Sequence, residues 1–341
     1  MKEKFADAEF LFVVAKGRME MEKVPQSGYK IVGLWISGIQ RKLDIRNISF
    51  PFKLISSLWK ALGIIRNFKP DVAIGTGGYA SGPLLYMAAR KKVPTLILEQ
   101  NSYPGITNKL LAKKVNTICV ATPGMEKYFD KEKLVITGSP IRDRITNSKI
   151  TRKEACEFFN LDTEKSIMLI IGGSQGARGI NLAVAANIKQ LCDNGIQILW
   201  QTGINYFEEA LELVKSNGLE DSVFVHKFIM EMEMAYAACD FIVSRSGAIA
   251  LAEIVQVEKA CIFIPLPSAA EDHQTKNALT LVNGNAALLL KEKEAVDSLF
   301  TMVNDVMLDK NKKQNLISNI RKFKTSDATQ NIVDEVVKLI N

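Results

Sequence analysis

A strand that runs straight into a glycine-rich turn and then a helix leaves few folds open. This chain has one at Ile167-Met168-Leu169-Ile170-Ile171-Gly172-Gly173-Ser174-Gln175-Gly176-Ala177, with helical spacing following through Leu182, Ala185, Ala186 and Ile188. Such a helix begins with unpaired backbone N–H groups facing out of the turn, and its dipole favours an anion there. The glycines permit close backbone approach and positive φ, and Ser174 adds a hydroxyl. The stretch is neither G-x-G-x-x-G nor a Walker A loop, which argues against the dinucleotide and P-loop readings. Two readings stay open: a phosphate seat, or glycines needed only to pass from strand to helix.

At 341 residues the chain is too long for one ordinary core, so two domains of α/β size are predicted, and 47% apolar residues suffice to fill them. No apolar run approaches the roughly 20 residues that span a bilayer, and Met1-Lys2-Glu3-Lys4 is no signal peptide, so the reading is cytoplasmic. Cys119, Cys156, Cys192, Cys239 and Cys261 are isolated and mostly sit in apolar segments, which fits reduced core thiols and neither zinc ligands nor disulfides. The net charge of +7 is unevenly spread: residues 1–144 hold 24 Lys and Arg against 12 Asp and Glu, the remainder 20 against 25. A basic N-terminal half suggests an anionic partner, either a nucleic acid or a membrane surface carrying an anionic lipid substrate, or else an inert solvated face. Neither a basic recognition motif nor an aromatic stacking platform supports nucleic acid.

Taken in order, strands are predicted at 8–14, 29–34, 71–74, 95–98, 117–120 and 134–137, with helical segments between them. The helical stretch 50–68 puts Leu54, Leu58, Ala61, Leu62 and Ile65 on one arc, with Phe52 and Trp59 at its edge and Lys53 and Lys60 on the flank. Aromatics beside lysines suit a membrane interface, although a partly exposed core edge is the simpler reading of the same pattern. A second glycine turn, Gly75-Thr76-Gly77-Gly78-Tyr79-Ala80-Ser81-Gly82-Pro83, leads into a helix over 84–90, with Pro83 in its first turn. The polar run 144–162 is read as the crossing between domains. Beyond it the strands restart at 167–171, 196–201, 222–226, 241–244, 260–264 and 286–290, and a helix closes the chain at 331–340. Strands and helices alternating at this length make doubly wound parallel sheets.

A third glycine turn, Ser244-Arg245-Ser246-Gly247, carries Glu253 about two helical turns inward, where a carboxylate can accept both hydroxyls of a ribose while the turn faces phosphate. Gln274, in Asp272-His273-Gln274-Thr275, can read a sugar hydroxyl, whereas helix capping alone accounts for Asp272.

These segments together carry a resemblance. Gly77 to Pro83, Glu99-Gln100-Asn101, Thr107-Asn108-Lys109, Gly138-Ser139-Pro140-Ile141-Arg142, Gly172 to Ala177, Arg245 to Glu253 and Asp272 to Thr275 occur in the order in which the MurG family carries them, along essentially the whole chain. The chain resembles that family of glycosyltransferases, which move N-acetylglucosamine from UDP-N-acetylglucosamine to undecaprenyl-pyrophosphoryl-muramyl pentapeptide in peptidoglycan synthesis. The resemblance implies a GT-B fold, two Rossmann-like doubly wound parallel-sheet domains facing a cleft: an acceptor and membrane-side domain over 1–143, completed by the C-terminal helix 327–341, and a UDP-sugar domain over 144–326. It implies a donor site of Asn101, Arg142, Ser174, Ile229 through its backbone, the run Ala248, Ile249, Ala250, Leu251 and Ala252, then Glu253 and Gln274. An acceptor site at Gly77, Gly78, Tyr79 and Ser81 follows, with membrane contact through Phe52, Trp59 and Lys60. It further implies no metal or cofactor, and a peripheral place on the cytoplasmic face of the membrane.

One departure matters. The family opens with a strand, a Gly-Gly-Thr-Gly-Gly-His-type loop and a helix that this sequence does not contain, and its histidines are only His226 and His273. No residue is assigned as the base that an inverting transfer needs. In a doubly wound sheet the first strand is central, so its neighbours are expected to have unpaired ladders. Two explanations stand, a reading frame that starts upstream, which the intact remaining motifs favour, or a copy that binds the UDP-sugar without turnover.

Overall fold

The computed structural model describes residues 1–38, 48–173 and 175–341. The chain divides into two compact units, Met1–Gly138 with Asp327–Asn341, and Ser139–Ser326.

The second unit is a six-stranded sheet whose described pairings are all parallel. Its strands are β7 (Ser166–Ile171), β8 (Ile196–Gln201), β9 (Val223–His226), β10 (Phe241–Ser244), β11 (Ala260–Phe263) and β12 (Leu288–Leu289), in the order β12-β11-β10-β7-β8-β9. β7 alternates cleanly, Ile167, Leu169 and Ile171 entering one core cluster and Met168 and Ile170 the other, so the strand is apolar at every position because helices cover both faces. The helices Arg152–Phe159, Met232–Ala238, Ala248–Gln256 and His273–Val282 close the first face, and Arg178–Asp193 with Ala295–Leu308 the second. Strand order reverses between β7 and β10, which makes the space beyond their carboxyl ends the topological switch point.

The run 144–162, expected to cross between domains, is built into this unit instead. A capping box between Thr151 and Glu154 starts the helix Arg152–Phe159, Arg152 binds the Ala238 carbonyl at 2.8 Å and Asp240 at 2.9 Å, and Ile145 enters the core. A segment so tied to the sheet is no linker. The expected strand at 286–290 shrinks to Leu288–Leu289, since β11 pairs with it at only two positions.

In the first unit β1 (Leu11–Ala15) pairs with β2 (Lys30–Leu34), and β3 (Ala73–Gly75), β4 (Thr95–Glu99), β5 (Thr117–Val120) and β6 (Leu134–Ile136) form a separate parallel sheet in that order. Among the described residues β1 pairs only with β2 and β3 only with β4. One edge of each therefore carries alternate N–H and C=O groups without a strand partner. The helix Ala328–Ile340, started by Asp327 accepting from Gln330 N at 3.0 Å, lays Val336 against Leu96, Leu98 and Cys119, and Lys4 pairs with Asp334. Burial raises the thiols of Cys119 to about 12 and of Cys192 and Cys239 to about 11, which keeps them protonated and inert.

The helix predicted at 84–90 begins earlier, at Gly78, so Pro83 lies inside it and not in its first turn. Gly77 and Gly78, at φ +92° and +76°, turn the chain sharply enough to start the helix there, and Ser81 Oγ closes the turn by donating to Gly77 O at 2.5 Å. In hydrogen exchange, amides of β1 and β3 are expected to open at lower free energy than those of β7 and β10, which are paired on both sides. Equal protection in both sets would mean that another group covers the free edges.

Candidate functional site

Both glycine turns of the second unit leave the two strands that flank its switch point, one after β7 and one after β10. After β7, Gly173 and Gly176 take φ +80° and +78°. A Cβ on Gly176 would collide with the carbonyl oxygen of Thr202, and one on Gly203 with the backbone of Gly176, so the turns after β7 and β8 lie backbone on backbone. Buried Asn181 fastens them, donating to Thr202 O at 2.9 Å and accepting from Trp200 Nε1 at 3.1 Å. The helix Arg178–Asp193 starts from this turn, and its N-cap residue Ala177 makes no side-chain cap hydrogen bond. Ser174 lies outside the described residues.

After β10, Arg245 donates to the carbonyls of Ile264 and Pro265 at 2.9 and 3.0 Å and pairs with Glu292. Ser246 Oγ donates to Gln274 O at 2.8 Å, Asn277 reaches back to Ser246 O at 3.1 Å, and the Gln274 side-chain oxygen accepts from Leu266 N at 3.0 Å. The turn and the 265–277 segment are thus one hydrogen-bonded assembly. Asp272 is not the side-chain cap that its sequence position suggests; at φ +53° its carboxylate accepts from the Thr275 hydroxyl at 2.6 Å.

Glu253, on the helix Ala248–Gln256 that leaves this turn, is buried. Its Oε2 accepts from Tyr236 Oη at 2.9 Å and its Oε1 faces Arg142 Nη2 at 3.3 Å. The structure therefore joins Arg142 directly to Glu253, which the resemblance gives only as two separate members of the donor site. Ala248, Ile249, Ala250, Leu251 and Ala252 form the turns between Gly247 and Glu253. Ile229 is buried and its N–H donates to Gln201 Oε1 at 2.9 Å, which pins the 227–231 loop to the end of β8.

Asn101, Gly77, Gly78, Tyr79 and Ser81 belong to the first unit. Glu99, buried at the end of β4, accepts from Asn101 N and Nδ2 at 3.0 and 3.2 Å, from Gly105 N at 3.0 Å and from Asn108 Nδ2 at 2.8 Å. One carboxylate with four donors fixes the loop that carries Asn101, which explains why the motifs 99–101 and 107–109 travel together. Tyr79 is exposed. On the helix Phe50–Phe68 the inward line is Ser57, Ala61 and Ile65, while Phe52, Ile55 and Trp59 stand 67%, 55% and 72% exposed on one outward line. Lys60 is tied to β2 through Gly33 O at 2.9 Å, and Lys53 to Ser37 at 3.0 Å.

Sequence reasoning missed Tyr236, Gln201, Asn181 and Ile55. For Ile55 the signal was present, at spacing three and four from Phe52 and Trp59; for the others, partners far along the chain decide the role.

Comparison with known proteins extends this picture. The model of the glycosyltransferase family 28 N-terminal domain matches residues 3–120 and that of the family's C-terminal domain residues 167–332. The chain is 49% identical over 341 residues to the UDP-N-acetylglucosamine–N-acetylmuramyl-(pentapeptide) pyrophosphoryl-undecaprenol N-acetylglucosamine transferase of Flavobacterium psychrophilum, covering all of this chain and 92% of that one. The Bacteroides thetaiotaomicron protein of the same name is 47% identical over 336 residues, 98% of this chain and 90% of that one. Among solved structures, MurG of Acinetobacter baumannii matches with a TM-score of 0.79 at 25% identity, covering 99% of this chain and 93% of that one. A Staphylococcus aureus MnaA–UDP co-structure matches in fold alone, with a TM-score of 0.63 at 12% identity over 96% of each chain. Two parallel-sheet α/β units of this kind constitute a GT-B fold.

Proposed function

The chain belongs to glycosyltransferase family 28, and from that premise we propose that it transfers N-acetylglucosamine from UDP-N-acetylglucosamine to the lipid-linked N-acetylmuramyl pentapeptide of peptidoglycan synthesis. The likeness runs through the whole chain and supports a transferase, not a donor-binding protein without turnover. The observation that carries the chemistry is the pair of glycine turns on adjacent β7 and β10, with buried Glu253 set beyond the second.

In this reading the first-turn N–H groups of Arg178–Asp193, with Ser174, take the donor diphosphate, where the helix dipole stabilises negative charge without a metal. Glu253 accepts the ribose hydroxyls, with the run Ala248 to Ala252 alongside, and Arg142 turns from Glu253 to the phosphates when both arrive. The Ile229 backbone meets the uracil, while Gln274 and Asn101 meet the amino sugar. Gly77, Gly78, Tyr79 and Ser81 sit by the acceptor's pyrophosphate. The base that takes the acceptor proton is not among these residues. Transfer of labelled sugar from the UDP donor to the lipid acceptor tests the activity; a folded chain that binds UDP and makes no product overturns it.

Phe52 and Trp59, with Ile55 between them, form the face that meets an anionic membrane surface, with Lys60 at its flank. Burying each large side chain contributes about 1.5–3 kcal/mol. Trp59→Ala combined with Ile55→Ala is therefore expected to lower partition onto anionic vesicles more than tenfold while leaving transfer to a soluble acceptor analogue unchanged. Equal loss in both assays would assign these side chains to packing.

A further inference from the structure

We propose that Tyr236 is a positioning residue which holds the Glu253 carboxylate for a ribose diol, so that discrimination between ribo- and 2′-deoxyribonucleoside diphosphates depends on this phenol. The inference rests on the assignment of Glu253 to the ribose made above.

The two oxygens of Glu253 have unlike partners. Oε2 accepts from the Tyr236 hydroxyl at 2.9 Å, and Tyr236, on the helix Met232–Ala238, is only 2% exposed within the core cluster that covers one face of the sheet. Oε1 faces Arg142 at 3.3 Å, and that arginine side chain is 54% exposed. The first partner is locked by packing; the second is a longer, solvent-screened ion pair of the kind that exchanges readily. Oε1 is thus the oxygen that a ligand reaches, with Arg142 standing on it until a ligand hydroxyl takes its place.

Burial and the neighbouring Glu253 charge push the Tyr236 phenol well above its ordinary range, so it remains a donor throughout the working pH range. A glutamate side chain can rotate about three bonds, and in a buried setting the tether that satisfies one oxygen decides where the other points. With Oε2 held by the phenol, Oε1 presents its two lone pairs to the two hydroxyls of a ribose, and a ligand that lacks one of them leaves a lone pair of this buried oxygen unfilled. With Oε2 released, the carboxylate turns to make its best single contact, and that penalty fades.

The test is calorimetric binding of UDP and 2′-deoxy-UDP to the full chain, for the parent protein, Tyr236→Phe, Glu253→Ala and the double variant, with melting curves alongside. The parent is expected to prefer UDP by about tenfold or more. Tyr236→Phe should reduce that preference to about threefold or less, and adding it to Glu253→Ala should change nothing further. Should Tyr236→Phe fail to fold with the buried charge in place, the same comparison is made between Glu253→Gln and Glu253→Gln combined with Tyr236→Phe, where the combined variant is expected to show the smaller preference. A parental preference in the variants lacking the phenol, while Glu253→Ala abolishes it, overturns the positioning role and leaves the ribose assignment standing. Full preference in Glu253→Ala overturns the ribose assignment and this inference with it.

Discussion

Glu253→Ala is expected to weaken UDP binding by about ten- to a hundredfold, the equivalent of losing charge-assisted hydrogen bonds worth about 1.5–3 kcal/mol. The carboxylate is 5% exposed, so water does not replace what the side chain supplied. The substitution has two further consequences, one for binding and one for stability. Arg142, released from its 3.3 Å pair, becomes wholly available to phosphate and recovers part of the loss, whereas the Tyr236 hydroxyl is left buried without its acceptor at about 1–3 kcal/mol of stability. Titration with uridine, which has no phosphate for Arg142 to meet, should therefore show a larger fractional loss than titration with UDP. Unchanged affinity for both ligands, in a variant that melts cooperatively, would remove Glu253 from the site.

Gly176→Ala should lower the stability of the Ser139–Ser326 unit by about 2–5 kcal/mol, combining about 1–2 for an L-residue in the left-handed region with about 1–3 for overpacking. At φ +78° the new Cβ is driven against the Thr202 carbonyl, and backbone cannot step aside as a side-chain tip can. Gly173→Ala is the matched control. Its φ of +80° carries the same conformational cost, but no atom of the described residues beyond its chain neighbours lies within 4 Å of its Cβ, so a loss of only about 1–2 kcal/mol is expected. Denaturant midpoints of the two variants measure the difference. Equal losses would mean that the turns after β7 and β8 are not pressed together as described.

The candidate site was legible in proportion to how local its signals are. An apolar run ending in glycines marks a strand-to-helix turn whatever the partners, so Gly172 to Gly176 and Arg245 to Gly247 were found at once, and Glu253 two helical turns beyond. The charges of Arg142 and Glu253 were legible as well, but not that each is the other's partner in this structure, because 111 positions separate them. Asp272 was misread for the opposite reason: its position before a helix is a true capping signal, but its left-handed backbone gives its carboxylate to Thr275 instead of to a helix N–H. The run 144–162 looked like a linker because it is polar, and the structure makes those same polar groups its fastenings.

The sequence alone determined which segments are strands, where the chain must turn on glycine, and the family, because period and backbone demands act over a few residues and the motifs stand in order. Tertiary structure alone decided that β7 and β10 are neighbours, so that turns separated by the whole of β8 and β9 open side by side, and that Tyr236 meets Glu253. That the edges of β1 and β3 have no strand partner among the described residues is, by contrast, what the sequence led one to expect. Strand order is a property of how the helices cover both faces of the sheet, and no local spacing encodes it.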